Sequence, residues 1–202
     1  MLRGNKMTNE VKNLSLFNET YKKEFQLFTE RYPQLKTIEQ NFKEALESSV
    51  LSLETHKKIM TCGNGGSCAD AEHIVGELLK GFLKKRHYSD SEMSKIFNSN
   101  NTISTPDYAV DFKNQLQKPL RALSLMGHPS FQTAFSNDKN PEFIIAQHLL
   151  ALGDAGDTLI AISTSGNSKN ILRTVQLAKV LGIKSILLTG QDGGVISKIA
   201  DH

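Results

Sequence analysis

Two short stretches of the chain combine residue types that hold anions: Gly63-Asn64-Gly65-Gly66-Ser67 and Ser163-Thr164-Ser165-Gly166-Asn167-Ser168. Glycines let backbone N–H groups approach a ligand closely, and a helix opening just after such a turn adds unpaired donors and a partial positive charge. The second stretch adds the hydroxyls of Ser163, Thr164, Ser165 and Ser168, all able to donate to phosphate oxygens. Helix capping needs only one hydroxyl, so four beside a glycine read as an anion site. The glycine-rich stretch alone reads equally as a tight connection. Neither stretch is a Walker loop, because no Gly-Lys-Ser/Thr ending is present, and neither has the G-x-G-x-x-G spacing of a dinucleotide site. A nucleoside triphosphate would want a lysine and a metal-binding carboxylate here. A phosphomonoester on a neutral, polar molecule fits better.

A third signal follows the first turn. His73 and Glu77 are four residues apart and share a helix face, and Asp70 extends that stripe toward the turn. Such a pair is either a surface contact or part of a site, and two ligand-type residues fall short of the three or four that zinc takes. His128, in the loop after a strand at 121–126, is either within reach of the site or an ordinary loop histidine.

These residues need a scaffold that sets them side by side. Apolar runs at Ile59–Cys62, Arg121–Met126, Asp157–Ile162 and Lys184–Thr189 read as strands. They alternate with helical patterns over about 67–83, Glu142–Leu152 and Ser168–Leu181, and Ser67 is an N-cap candidate. That alternation predicts an α/β fold with a parallel sheet and helices on both faces. In such sheets the ligand sits outside the carboxyl ends of the strands, where both turns fall. Ahead of this core, residues 10–57 read as a helical pair. The first carries Leu14, Phe17, Tyr21, Phe25, Phe28 and Tyr32 and is interrupted at Pro33. The second carries Leu35, Ile38, Phe42, Leu46, Val50 and Leu53. These stripes either cover the domain or pack on another subunit. Residues 87–118 form an irregular excursion, helical around 108–117.

Composition narrows the class. The 202 residues suit a single domain able to bury a sizeable core, and 39% hydrophobic with 22% charged residues argues against disorder or a disulfide framework. No apolar run approaches the ~18 residues of a membrane span, and the first residues lack the apolar region of a secretory signal. The two cysteines, Cys62 and Cys68, suit a reducing cytoplasm as buried or half-buried thiols. A net charge of +3, with no basic stripe interleaved with aromatics, makes nucleic acid a poor partner.

With these residues in view, the sequence resembles the sugar isomerase (SIS) domain family, and within it the phosphoheptose isomerase branch. The resemblance rests on Cys62-Gly-Asn-Gly-Gly-Ser67 with Asp70, Ala71, His73 and Glu77, on Phe135-Ser-Asn-Asp138, on Ile162-Ser-Thr-Ser-Gly-Asn-Ser168 and on Leu188-Thr-Gly-Gln-Asp-Gly-Gly194. It implies a flavodoxin-like doubly wound fold and a homotetramer with sites near subunit interfaces, assembled through the N-terminal helices. It implies an aldose–ketose isomerase converting sedoheptulose 7-phosphate to glycero-manno-heptose 7-phosphate with no organic cofactor. Ser163, Thr164, Ser165 and Ser168 would hold the phosphate. Asn64, Gly65, Gly66, Ser67, Asn137 and Asp138 would line the substrate, and Glu77 would be the base. His73 and Glu77 match two ligands of the Zn²⁺ found in some members. Members of the family continue into a further strand and a helix carrying a Gln and a His that complete the site. This sequence ends at His202, which does not match that His. The excursion at 87–118 is longer than in enterobacterial-type relatives. Other readings are an isomerase of another ketose phosphate, or a non-catalytic phosphosugar-binding relative of the kind that binds a replication initiator.

Overall fold

The structure is a computed structural model that describes residues 19–98, 109–190 and 192–202. It divides into two compact units, Met1–Glu47 and Ser48–His202. Leu14 and Phe17 of the first stripe, the middle of the 87–118 excursion and Gln191 lie outside the described residues.

In the first unit, helix α1 covers residues 19–31. Pro33 opens a 3-10 turn, Pro33–Ile38, because its fixed φ and missing N–H suit a first helical position. Leu35 and Ile38 therefore belong to this turn, ahead of helix α2 at Glu39–Glu54. The aromatic stripe packs on itself: Tyr21 stacks on Phe25 with ring centroids 5.4 Å apart, and Phe28 stacks on Phe42 at 5.7 Å. The Tyr21 hydroxyl donates to the Glu39 carbonyl at 3.1 Å.

The second unit holds a four-stranded, fully parallel sheet in the order β2-β1-β3-β4, with β1 Ile59–Gly63, β2 Ala122–Ser124, β3 Thr158–Ser163 and β4 Lys184–Thr189. The central strands are apolar runs because both of their faces are covered, and every residue of β1 is buried. Met60, Cys62, Leu159 and Ala161 meet Leu125, Ile145, Leu149, Ile171, Val175 and Ala178 in one core. Helix α3, Gly66–Leu79, joins β1 to β2, and helix α8, Lys169–Val180, joins β3 to β4. These two right-handed crossovers run in opposite directions from the middle of the sheet, so the helices cover opposite faces. The sheet is thus doubly wound, as expected. Its order reverses between β1 and β3, the switch point at which such sheets bind ligands.

The remaining elements are α4 Asp90–Asn98, α5 Ala109–Gln115, α6 Pro129–Asp138 and α7 Ile144–Leu152. Two expectations need correction. Helix α3 stops at Leu79, short of residue 83, because Lys80 is extended and Gly81 makes a bend too tight for a Cβ, which would lie 2.2 Å from the Lys84 carbonyl oxygen. The N-cap of α3 is Gly65, at a φ of 55°, and Ser67 lies inside the first turn. A backbone bond from Ser67 N to the Asn64 carbonyl closes the turn earlier than a serine cap would. Both cysteines are free thiols, Cys62 buried and Cys68 half-buried. No described helix is long and apolar enough to cross a membrane.

Candidate active site

The two turns leave adjacent strands at the switch point. After β3, the chain bends through Ser163, whose buried hydroxyl donates to the Ser168 hydroxyl at 3.2 Å. Ser168 is the N-cap residue of α8, yet its side chain makes no capping bond. Helix capping therefore does not account for this hydroxyl. Thr164 and Ser165 are exposed, and Ser165 Oγ accepts from the Asn167 backbone at 3.2 Å. Gly166 has a φ of 61°, and a Cβ there would lie 1.8 Å from the Gly193 carbonyl oxygen, so only glycine fits. Gly190 and residues 193–196 press on the bend. Gly190 N donates to the Thr164 carbonyl at 3.1 Å, Ile196 N to the Gly166 carbonyl at 3.0 Å and Val195 N to Asn167 Oδ1 at 3.1 Å. The hydroxyl turn is thus clamped from behind while its outer face stays open.

After β1, Asn64, Gly65 and Gly66 are exposed at the sheet edge. Gly63 ends the strand against Ser67, whose carbonyl oxygen would lie 2.4 Å from an added Cβ. The structure joins this turn to the other through Asn170, a residue the sequence did not single out. Asn64 Nδ2 donates to Asn170 Oδ1 at 2.9 Å and Asn170 Nδ2 donates to Asn64 Oδ1 at 2.8 Å, across 106 residues of sequence.

Along α3, Gly66, Asp70, His73 and Glu77 fall at spacings of four, three and four, one face of the helix. An open cavity of about 420 Å³ is lined by Asp70, His73, Ile74, Glu77 and Leu78. His73 is exposed, and its Nε2 stands 3.4 Å from Glu77 Oε1. The other oxygen, Glu77 Oε2, is buried with no hydrogen-bond partner among the described residues. A buried carboxylate oxygen without a donor is costly in a native fold. Burial pushes the Cys62 thiol, behind the first turn in the core, up to about 12, which makes it inert as a nucleophile.

The other expected residues are less closely joined. Asn137 and Asp138 are exposed at the C-terminal end of α6, where the Asn137 amide donates to the Asp138 carboxylate at 2.9 Å. His128 meets the buried His148 edge to face, with ring centroids 4.6 Å apart, and His148 Nδ1 donates to the Leu125 carbonyl at 2.7 Å.

Comparison with known proteins agrees with this geometry. The SIS domain family model matches residues 139–202. A phosphoheptose isomerase of Helicobacter pylori (strain P12) is 35% identical over 167 residues, covering 83% of this chain and 71% of the relative. One from Histophilus somni (strain 2336) is 36% identical over 166 residues, covering 81% and 69%. Among solved structures, a phosphoheptose isomerase from Francisella tularensis aligns with a TM-score of 0.62 at 28% identity, over 94% of this chain and 81% of its own. One from Neisseria gonorrhoeae aligns with a TM-score of 0.59 at 27% identity, over 96% and 81%. The switch-point turns, the helix stripe and these likenesses agree: the chain belongs to the phosphoheptose isomerase branch of the SIS domain family.

Proposed function

We propose that the protein is a phosphoheptose isomerase that interconverts sedoheptulose 7-phosphate and the corresponding aldose, glycero-manno-heptose 7-phosphate. The observation that carries this reading is the Glu77 carboxylate, with one oxygen buried and unpartnered on the wall of an open cavity. Ser163, Thr164, Ser165 and Ser168 bind the phosphate. Asn64, Gly65, Gly66 and Ser67 receive the sugar, joined by Asn137 and Asp138. Glu77 lies eleven residues after Gly66, about 16 Å along the helix axis at 1.5 Å per residue. Helical side chains lean back toward the N-terminus, which shortens the gap. A substrate that engages both the hydroxyl turn and Glu77 carries its phosphate at one end and its reacting carbons at the other, as an open-chain heptose 7-phosphate does.

In the forward direction Glu77 takes a proton from carbon 1 of the ketose. The electron pair left behind forms the carbon–carbon double bond of an enediol(ate), and the carbonyl oxygen on carbon 2 gains a proton. Return of a proton to carbon 2 and loss of one from the carbon 1 hydroxyl give the aldose. Substrate and product are isomers, so no external oxidant or reductant takes part and no organic cofactor is required. A base of this kind contributes ~10²–10⁴ in rate, and donors around the enediolate oxygens contribute further. His73 stands beside the carboxylate and can donate to those oxygens.

Zinc does not fit the described residues by themselves. His73 and Glu77 are two donors, zinc takes three or four, and no cluster of three or more candidate ligands occurs among the described residues. No step here runs through a metal. The reading extends to self-association as a tetramer. Phe82 and Leu83, 71% and 88% exposed beyond the end of α3, supply apolar surface for a second copy. Light scattering on the purified protein checks it, with four chains per particle expected. The free thiols suit a reducing cytoplasm.

The test of the activity is incubation with sedoheptulose 7-phosphate in deuterated water, followed by proton NMR. The aldose should appear with solvent deuterium on carbon 2. A protein that binds the sugar phosphate but yields no aldose at high concentration is a non-catalytic phosphosugar sensor. A protein that turns over only shorter ketose phosphates has another substrate.

A further inference from the structure

We infer that Asn170 is a positioning residue that latches the glycine turn at 63–67 to the hydroxyl turn at 163–168, so that the two act as one receptor. The strands are tied by the sheet as far as Gly63 and Ser163, but residues 64–67 and 164–168 lie beyond the last paired residues. Gly63, Gly65 and Gly66 surround Asn64 and have no side chains, so Asn64 carries the side-chain anchor of the tip of this turn. That anchor is a reciprocal amide pair, with bonds of 2.9 and 2.8 Å to Asn170. The orientation of the pair is fixed from the α8 side. Asn170 Oδ1 also accepts from the Ile171 backbone N–H at 3.0 Å, and a backbone donor cannot exchange roles with an amide oxygen. The oxygen is therefore settled, Nδ2 faces Asn64, and Asn64 is held in the matching sense. Asn170 is itself held in the first turn of α8, with its carbonyl accepting from the Thr174 hydroxyl at 2.8 Å. Each carboxamide carries a second N–H, so the pair persists while Asn64 donates to a sugar hydroxyl.

The latch does not depend on which sugar is bound, but its kinetic consequence rests on the isomerase reading above. The two are separated by two readouts on full-length Asn170→Ala, Asn64→Ala and the double variant. The first is hydrogen–deuterium exchange, which requires no activity. Exchange in 64–68 is expected to rise at least tenfold in Asn170→Ala and equally in Asn64→Ala, with no further rise in the double variant. Unchanged protection in Asn170→Ala, or additive effects, overturns the latch. The second readout is binding. Inorganic phosphate, a competitor for the hydroxyl turn, should inhibit Asn170→Ala within twofold of the wild type, while KM for the sugar phosphate rises about tenfold. Equal losses for both would make Asn170 part of the phosphate grip and contradict the inference. A wild-type protein that turns over no sugar phosphate would sink the isomerase reading while the exchange result still decides the latch.

Discussion

The two ends of the sheet are built from similar residue types to opposite purposes. At the amino end of β1 and β3, polar groups are saturated. Buried Asp157 accepts from Lys58 N at 3.0 Å and Asp154 N at 2.8 Å, and Lys58 Nζ lies 2.7 Å from it. Burial alone would lower the Lys58 pKa, but hydrogen bonds to Asp154 and Asp157 outweigh it and hold the ammonium above its usual range. The same lysine holds the Asp154 carboxyl below its own. Beside β4, Asp201 accepts from both the backbone N and the hydroxyl of Ser185 at 2.9 Å. At the carboxyl end, Thr164, Ser165, Asn64 and Gly66 are exposed, and the partners of the bend come from behind it. One end uses its polar groups on the fold. The other leaves the hydroxyl-bearing Thr164 and Ser165 exposed.

This contrast can be broken in order of effect. Glu77→Gln removes the base but keeps the shape. Turnover should drop by about 10³ while phosphosugar binding, measured by calorimetry, stays near the wild-type value. Asp157→Asn acts at the other end. It leaves Lys58 facing a buried neutral amide, so urea denaturation should show a loss of about 3 kcal/mol with KM unchanged. Ser165→Ala or Thr164→Ala removes one hydroxyl from a charged ligand. The affinity for sugar phosphate should fall about tenfold, at 1.4 kcal/mol per decade, and the Tm should hold. A large Tm loss there, or a KM change in Asp157→Asn, would erase the division between the two ends.

The smallest effect concerns the core between them. The Cys62 pKa is raised by burial from 9.0 to about 12. A raised folded pKa means that this contribution to stability is whole below pH 9 and is lost as pH climbs toward 12, because only the unfolded thiol ionises in that window. Between pH 8 and pH 10 the wild type should lose roughly 1 kcal/mol more than Cys62→Ala. Equal pH slopes for the two proteins would show that the thiol ionises as readily folded as unfolded.

The scaffold was readable from residues because buried parallel strands are unbroken apolar runs. Those at Ile59 and Thr158 sit at the expected positions. Helix α6 left only a short trace, since none of its residues is buried and its apolar stripe is limited to Phe131, Ala134 and Phe135. Helix α4 left another. Ser89 and Glu92 form a capping box, with Ser89 N donating to Glu92 Oε2 at 2.9 Å, and that Ser-x-x-Glu pattern is the local signal inside an otherwise polar stretch. The overlong reading of α3 came from Phe82 and Leu83, apolar residues that continue the helical period yet face outward. In the site, both turns and the Asp70–Glu77 stripe were visible as composition and spacing. The Asn64–Asn170 pair was not, because a contact across 106 residues writes no local pattern.

The central claim is that the hydroxyl turn grips a phosphate and presents the far end of the same molecule to Glu77. A crystal structure of Glu77→Gln with sedoheptulose 7-phosphate tests it directly, because the stalled variant keeps its substrate. The account places the phosphate over 163–168 and carbons 1 and 2 within hydrogen-bond reach of residue 77. A phosphate bound elsewhere, or reacting carbons turned away from that side chain, would contradict it.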